Sequence, residues 1–177
     1  TGVSPVISKF TVEEDAENVV AKINIDNAAH VREIRVMRGS DWVRSEQFDD
    51  NGVSRIVRVY NENKYSIGDG VYEYRVEVED YAGHVYMSET RTVDLSDTLI
   101  KVNSFTASME DDRVCVDLDL HNADGLYYME FYLDGNEIYC EYFHENAQSD
   151  MSLTRYVNLQ NVELGSHSFK ARLVHKG

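Results

Sequence analysis

The chain repeats itself. Phe10-Thr11 and Phe105-Thr106 stand 95 positions apart, and so do Asn27-Ala28 and Asn122-Ala123. Phe48 and Phe143 keep the same offset, as do Gly70 and Gly165, then Tyr74 and Phe169. A shift held from Phe10 to Tyr74 predicts two copies of one structural unit, with a small internal slip near Ser54 to Asn63. A period near 95 is the size of a whole small domain and far too long for a solenoid repeat. The 177 residues therefore divide into domains over 1–95 and 96–177, each able to hold its own core.

Within each copy the period is two. In Val71 to Glu79, Tyr72, Tyr74, Val76 and Val78 share one face, while Glu73, Arg75, Glu77 and Glu79 take the other. That is the pattern of an antiparallel strand with one face on a core. Phe169, Ala171 and Leu173 repeat it, with Lys170 and Arg172 outward. Ala21, Ile23 and Ile25 match Val116, Leu118 and Leu120; Ile34 and Val36 match Met129 and Phe131. Copy one yields seven strands, near 5–12, 18–26, 31–38, 42–48, 53–60, 71–79 and 85–94. Asp49-Asp50-Asn51-Gly52, Gly68-Asp69-Gly70 and Asp134-Gly135 supply the turns. A single proline suits many paired strands, and no segment has the spacing of an amphipathic helix. The expected fold is all-β: two tandem immunoglobulin-like or fibronectin-III-like β-sandwiches. Copy one continues past Asp80-Tyr81-Ala82-Gly83 into a last strand, whereas copy two reaches only His175-Lys176-Gly177 in the same register. The second sandwich is thus expected to lack its last strand. Either the chain is cut at a domain boundary, or the start of copy two or a neighbouring chain fills the vacant edge, whose unpaired backbone groups are adhesive.

At Gly70-Val-Tyr-Glu-Tyr-Arg-Val-Glu-Val-Glu-Asp80-Tyr-Ala-Gly83 the chain resembles the penultimate strand and turn of bacterial immunoglobulin-like domains, which read Gly-x-Tyr-x-Tyr-x-Val-x-Val-x-Asp-x-Ala-Gly there. In copy two only Gly165, Phe169 and Leu173 keep this pattern. Tandem units of this kind resemble pieces of modular surface proteins of Gram-positive bacteria, where they serve as spacers, adhesin modules or binders of host proteins. In overall character the chain also resembles immunoglobulin-binding surface proteins of gut Firmicutes. The resemblance implies an extracellular location, on a bacterial surface or secreted, and a single copy within a longer multidomain chain.

Formal charge is −15, shared by the halves: −7 up to Leu95 and −8 beyond it. Such a coat repels phosphate backbones and anionic membrane surfaces, which argues against nucleic-acid binding. No apolar run has the length to cross a bilayer, so no membrane insertion is expected. Cys115 and Cys140 fall at positions held by Val20 and Ser45 in copy one and read as free thiols. The six histidines (His30, His84, His121, His144, His167, His175) form no helical zinc motif. Ser166 and His167 are adjacent on a strand and point to opposite faces. The carboxylate clusters Glu13-Glu14-Asp15, Asp49-Asp50 and Glu110-Asp111-Asp112 match no calcium loop and read as solvated turns. The expectation is a non-enzymatic protein with no cofactor and no metal.

Aromatics carry the functional reading. Tyr127, Tyr128, Tyr132, Tyr139 and Tyr142 crowd one segment, where copy one has charged or polar residues such as Glu33, Arg35 and Arg44. If Met129, Phe131 and Leu133 face the core, Tyr128, Glu130 and Tyr132 face outward, joined by Tyr139 and Tyr142 from the next strand. Tyrosine offers stiff contact area with a polar tip, which enriches it in binding surfaces; it is also simply a good strand former. The candidate protein-binding residues are therefore Tyr128, Glu130, Tyr132, Tyr139 and Tyr142, with acidic flanks at Glu130, Glu137 and Glu141 favouring a basic partner. A host protein such as immunoglobulin is the partner the resemblance suggests. The alternatives are a structural spacer, or a carbohydrate-binding module using Trp42 or the tyrosines.

Overall fold

The computed structural model describes residues 2–143 and 148–176. The chain is all-β and divides into two compact units, Thr1–Ser96 and Asp97–Gly177. Unit 1 contains β1 (Val6–Glu14), β2 (Asn18–Asp26), β3 (Val31–Arg38), β4 (Asp41–Gln47), β5 (Arg55–Asn63), the one-turn helix α1 (Lys64–Ile67), β6 (Val71–Asp80), β7 (Val85–Met87) and β8 (Arg91–Asp94). Unit 2 contains β9 (Lys101–Glu110), β10 (Arg113–His121), β11 (Leu126–Leu133), β12 (Asn136–Tyr142), β13 (Met151–Asn158) and β14 (Phe169–His175).

Each unit has two antiparallel sheets around one core. In unit 1 the orders are β1-β2-β5 and β4-β3-β6-β7, with β8 also paired to β6. Alternate residues of both sheets meet inside: Phe10, Ile23, Ile25 and Ile56 from one, Ile34, Val36, Val76 and Val78 from the other. In unit 2 the orders are β9-β10-β13 and β12-β11-β14, enclosing Val116, Leu118, Leu120, Met129 and Phe131. The single last strand expected over 85–94 is broken in two. Ser88 does this: its N–H donates to Val76 O at 2.9 Å and its Oγ accepts from Val76 N–H at 2.9 Å.

The duplication extends to backbone detail. Strands β10, β11 and β12 begin and end 95 residues after β2, β3 and β4. The β3 bulges at Val31/Glu33 and Val36/Met37 return in β11 at Leu126/Tyr128 and Phe131/Tyr132. Loop hydrogen bonds recur as well. Ala28 N–H donates to Ser54 O, and Ala123 N–H to Ser149 O; Gly39 N–H donates to Glu73 O, and Asp134 N–H to Ser168 O. The shared Asn-Ala has a physical reason. Asn27 and Asn122 both sit at positive φ, 54° and 59°, which asparagine tolerates better than most residues. The alanine that follows is buried in each core, at 3% and 0% exposure.

The slip expected near Ser54 to Asn63 is absent. Asn18 pairs with Asn63 and Arg113 with Asn158, so the offset of 95 runs unbroken through β5 and β13. The pattern fails there because inward side chains were exchanged, not because the backbone moved. Glu46 accepts hydrogen bonds from Arg58 and Tyr60, both on β5. At the matching place Glu141 accepts them from Arg155 on β13 and Tyr139 on β12. One partly buried carboxylate is satisfied twice, by an arginine and a tyrosine drawn from different positions.

The motif around Asp80 acts as a clasp. Its carboxylate accepts the N–H groups of Ala82 (3.0 Å) and His84 (2.9 Å) and the Tyr86 hydroxyl (3.1 Å). Gly83, at φ 87°, completes the turn into β7. Burial pushes the Asp80 carboxyl up, and these donors outweigh it, leaving it below the usual carboxylate range. Position 175 of unit 2 holds histidine instead, and among the described residues no strand there corresponds to β7 or β8. The start of unit 2 does not fill that place, because β9 pairs with β10 in the other sheet.

Candidate functional site

The outward face of the sheet β12-β11-β14 carries the tyrosines. From β11 come Tyr128, Glu130 and Tyr132; opposite them on β12 stand Tyr142 and Cys140, and on β14 Val174, Arg172 and Lys170. Tyr128 and Tyr142 face each other directly across the strands with ring centroids 5.4 Å apart. Tyr127 joins them, at 5.4 Å from Tyr128 and 5.6 Å from Tyr142, both edge-on. Each pair lies within the favourable range for aromatic contact. The three rings form one contiguous patch, with Tyr127 at 47% and Tyr142 at 55% exposure.

Tyr127 escapes strict alternation. With Tyr128 outward, a regular strand turns residue 127 to the core, but the bulge at Leu126/Tyr128 brings it onto the outer face. The repeat contained the signal, since the corresponding residue of unit 1 is the half-exposed, charged Arg32.

Tyr139 does not join the patch. It lies opposite Phe131 and stacks on it at 5.2 Å, on the core side of the sheet. Residues three apart on a strand cannot share a face without a bulge between them, and β12 is regular from Tyr139 to Tyr142. Its hydroxyl donates to Glu141, whose carboxylate is held by Arg155 at 2.7 and 2.9 Å. Burial first, and then Glu141, raise the Tyr139 hydroxyl above its ordinary range; Arg155 holds Glu141 below its own.

The acidic rim is also smaller than expected. Glu141 belongs to the inner cluster just described. Glu130 is 9% exposed and accepts a hydrogen bond from the Tyr132 hydroxyl, with Arg172 at 3.5 Å. That bond from Tyr132 to a carboxylate raises the hydroxyl's pKa. Lys170 lies 5.8 Å above the Tyr132 ring. Of these three acids only Glu137 is exposed. The face is thus aromatic and charge-balanced: Glu130 is neutralised locally by Arg172, so little net negative potential is left to select a basic partner.

The same face of unit 1 is built from ions. Arg35, 7% exposed, contacts Glu79 at 2.8 Å, Glu33 at 3.2 Å and Glu77 at 3.4 Å. The hydrogen bond that Arg35 donates to Glu79 leads in holding the guanidinium pKa above its ordinary value, and Glu79 is lowered in turn. Trp42 covers the group, with Arg35 5.1 Å from its ring centroid, and is itself 63% exposed.

Cys115 is buried and Cys140 exposed, and both are free. Ser166 and His167 make no shared site: His167 contacts Asp134 at 2.7 Å and Glu163 O at 2.5 Å. His144 lies outside the described residues. Among the described residues no group of three or more His, Cys, Asp or Glu is arranged to hold a metal ion. Among the described residues no helix is long and apolar enough to cross a membrane. No protein-family model matches this chain, and no curated protein does.

Proposed function

We propose that the chain is a non-enzymatic, extracellular module of a bacterial surface protein, two tandem immunoglobulin-like sandwiches that bind a protein partner through the tyrosine face of unit 2. The observation that carries this reading is the contiguous patch of Tyr127, Tyr128 and Tyr142. A fold that needed only to be stable has no use for three partly exposed rings packed against each other. Unit 1, with the same backbone, closes this face with Arg35 and its glutamates. A spacer is expected to scatter its exposed aromatics; a binder gathers them, and rigid aromatic anchors dominate protein interfaces. The paired sheets, each unit's core between them, support the sandwich assignment.

Host immunoglobulin is the first partner to test. Purified immunoglobulin is passed over the immobilised full chain, and binding is measured for wild type, Tyr142→Ala, Tyr128→Ala and Tyr139→Phe. We expect tenfold or greater weakening for the first two, the scale of an interface hot spot, and no change for Tyr139→Phe. Unchanged binding in the Tyr127/Tyr128/Tyr142 triple alanine variant refutes the site; absence of binding by the wild type refutes the partner. The carbohydrate reading keeps one observation of its own, the exposed Trp42 over Arg35. It predicts glycan retention that Trp42→Ala abolishes.

A further inference from the structure

Unit 1 keeps a space that unit 2 fills. A cavity of about 180 Å³ lies between its sheets, beside the edge strands β4 and β5. Val19 and Ala21 of β2, Val36 of β3 and Val43 of β4 form its apolar wall. The offset of 95 puts Val114, Val116, Phe131 and Ile138 at these places in unit 2. There Phe131 is fully buried, stacked on Tyr139 at 5.2 Å and tilted against Phe169 at 5.7 Å. Two valines of unit 1 correspond to a phenylalanine and an isoleucine, on a backbone of the same register. A fuller core was available to this fold, and unit 1 does not have it.

The polar groups around the cavity differ as well. Glu141 of unit 2 is held by one arginine, Arg155, at 2.7 and 2.9 Å. Unit 1 holds Glu46 with Arg58, at 2.9 and 3.0 Å, and Glu62 with Arg38, at 2.8 Å to both oxygens. That leaves Arg44, which lines the cavity and lies 4.9 Å from the centroid of the Tyr60 ring. Its guanidinium forms no ion pair among the described residues. Tyr74 also lines the cavity; it is 2% exposed, and its hydroxyl has no hydrogen-bond partner among the described residues. Arg38 stands opposite it across the strands, but a guanidinium only donates, so the hydroxyl proton lacks an acceptor. Unit 2 has Phe169 at this position, so the shared fold does not require the hydroxyl.

We propose that this cavity is a binding site for a small aromatic carboxylate. A cavity of about 150 Å³ is enough to take up benzene, so a single ring fits against the valines. The carboxylate meets Arg44, exposed at the rim, and supplies the acceptor that the Tyr74 hydroxyl lacks. An apolar wall with a few convergent polar groups is the ordinary composition of a small-molecule site. The site belongs to unit 1 and shares no residue with the tyrosine patch of unit 2.

The test titrates phenylacetate into the isotopically labelled full chain and follows backbone amide shifts by nuclear magnetic resonance. Saturable shifts are expected at 19–21, 43–44 and 60–62, and not at the matching positions 114–116, 138–139 and 155–157. Arg44→Gln is expected to weaken phenylacetate about fivefold, the scale of one exposed ion pair, and to leave the neutral phenylacetamide unchanged. Tyr74→Phe, which copies unit 2, is expected to weaken both about threefold. Val36→Phe, which also copies unit 2, is expected to abolish binding, with an unchanged urea midpoint of Trp42 fluorescence showing that unit 1 stays folded. Should Val36→Phe unfold, the comparison of acid and amide in Arg44→Gln decides alone. Tyr142→Ala is expected to change nothing. No saturation at millimolar phenylacetate means a cavity that holds water only and overturns the proposal. So do equal affinities for the acid and the amide, and binding that survives Val36→Phe. Tighter binding of N-acetylphenylalanine, which presents the same groups as a peptide C-terminus, overturns it in favour of a peptide.

Discussion

Phe10 and Phe105 occupy one position of the repeat, and truncating each in turn measures what the last strand contributes. Phe10 is enclosed, at 5% exposure, in the core that Val93 and Leu95 complete. Phe105 is partly buried and stacks on Phe169 at 6.0 Å, and among the described residues no counterpart of β8 covers it. Emptying a fully buried phenylalanine site costs about 3–5 kcal/mol, the sum of lost transfer energy and the cavity left behind. Phe105 is only partly buried and solvent can enter the gap, so Phe105→Ala should cost less, roughly 2 kcal/mol. A domain of this size has roughly 4–12 kcal/mol of stability in all, so Phe10→Ala leaves unit 1 marginal while Phe105→Ala leaves unit 2 folded. The chain's single tryptophan, Trp42, is in unit 1, so its fluorescence in a urea titration follows that unit. Native-state hydrogen exchange of β10 and β13 follows unit 2. We expect Phe10→Ala to lower the fluorescence midpoint at unchanged slope, and Phe105→Ala to leave it in place while moderately loosening β10 and β13. Equal losses from the two substitutions would refute the account, because the difference is derived entirely from the covering strand.

Two further outcomes follow from polar clusters. Asp80→Ala removes the acceptor of three hydrogen bonds at the β6–β7 turn and should destabilise unit 1 by about 2 kcal/mol, with exchange of 82–87 rising first in native-state measurements. In unit 2, His121 contacts Asp150 at 2.6 Å and Asp97 at 3.0 Å, and His167 contacts Asp134 at 2.7 Å. These carboxylates, Asp150 first for His121 and Asp134 first for His167, hold both imidazoles above their ordinary pKa. A raised folded-state value stabilises fully below the unfolded value of about 6.5 and is lost as pH climbs through the folded one. Unit 2 should therefore weaken from about pH 6.5 upward, and His121→Gln with His167→Gln should flatten that dependence in chemical unfolding followed by β10 exchange.

Much of the fold was legible because it depends on side-chain chemistry with a short period. Alternation in Val71 to Glu79 put Tyr74, Val76 and Val78 inside and Glu77 and Glu79 outside, as the structure has them. Asn-Ala and Asp-x-Ala-Gly marked turns that need, respectively, a residue tolerant of positive φ and a carboxylate acceptor for backbone N–H groups. Identity matching invented a slip where Arg58 and Tyr60 had been exchanged for Leu153 and Arg155, because hydrogen bonding to Glu46 or Glu141 constrains the cluster and not each position.

The candidate site divides along the same line. That tyrosines replace charges on one face of the second copy is a property of the sequence read against itself. Which of them stand together was decided only in three dimensions. The bulge at Leu126/Tyr128 brings Tyr127 out beside Tyr128 and Tyr142, while Tyr139 turns inward onto Phe131. A bulge shifts every later side chain by one place, and it arises from how two strands fit, so no single strand's residues announce it. The pairing of Glu130 with Arg172 is tertiary for a related reason: Arg172 lies 42 residues away in the chain and reaches it only because β14 pairs with β11.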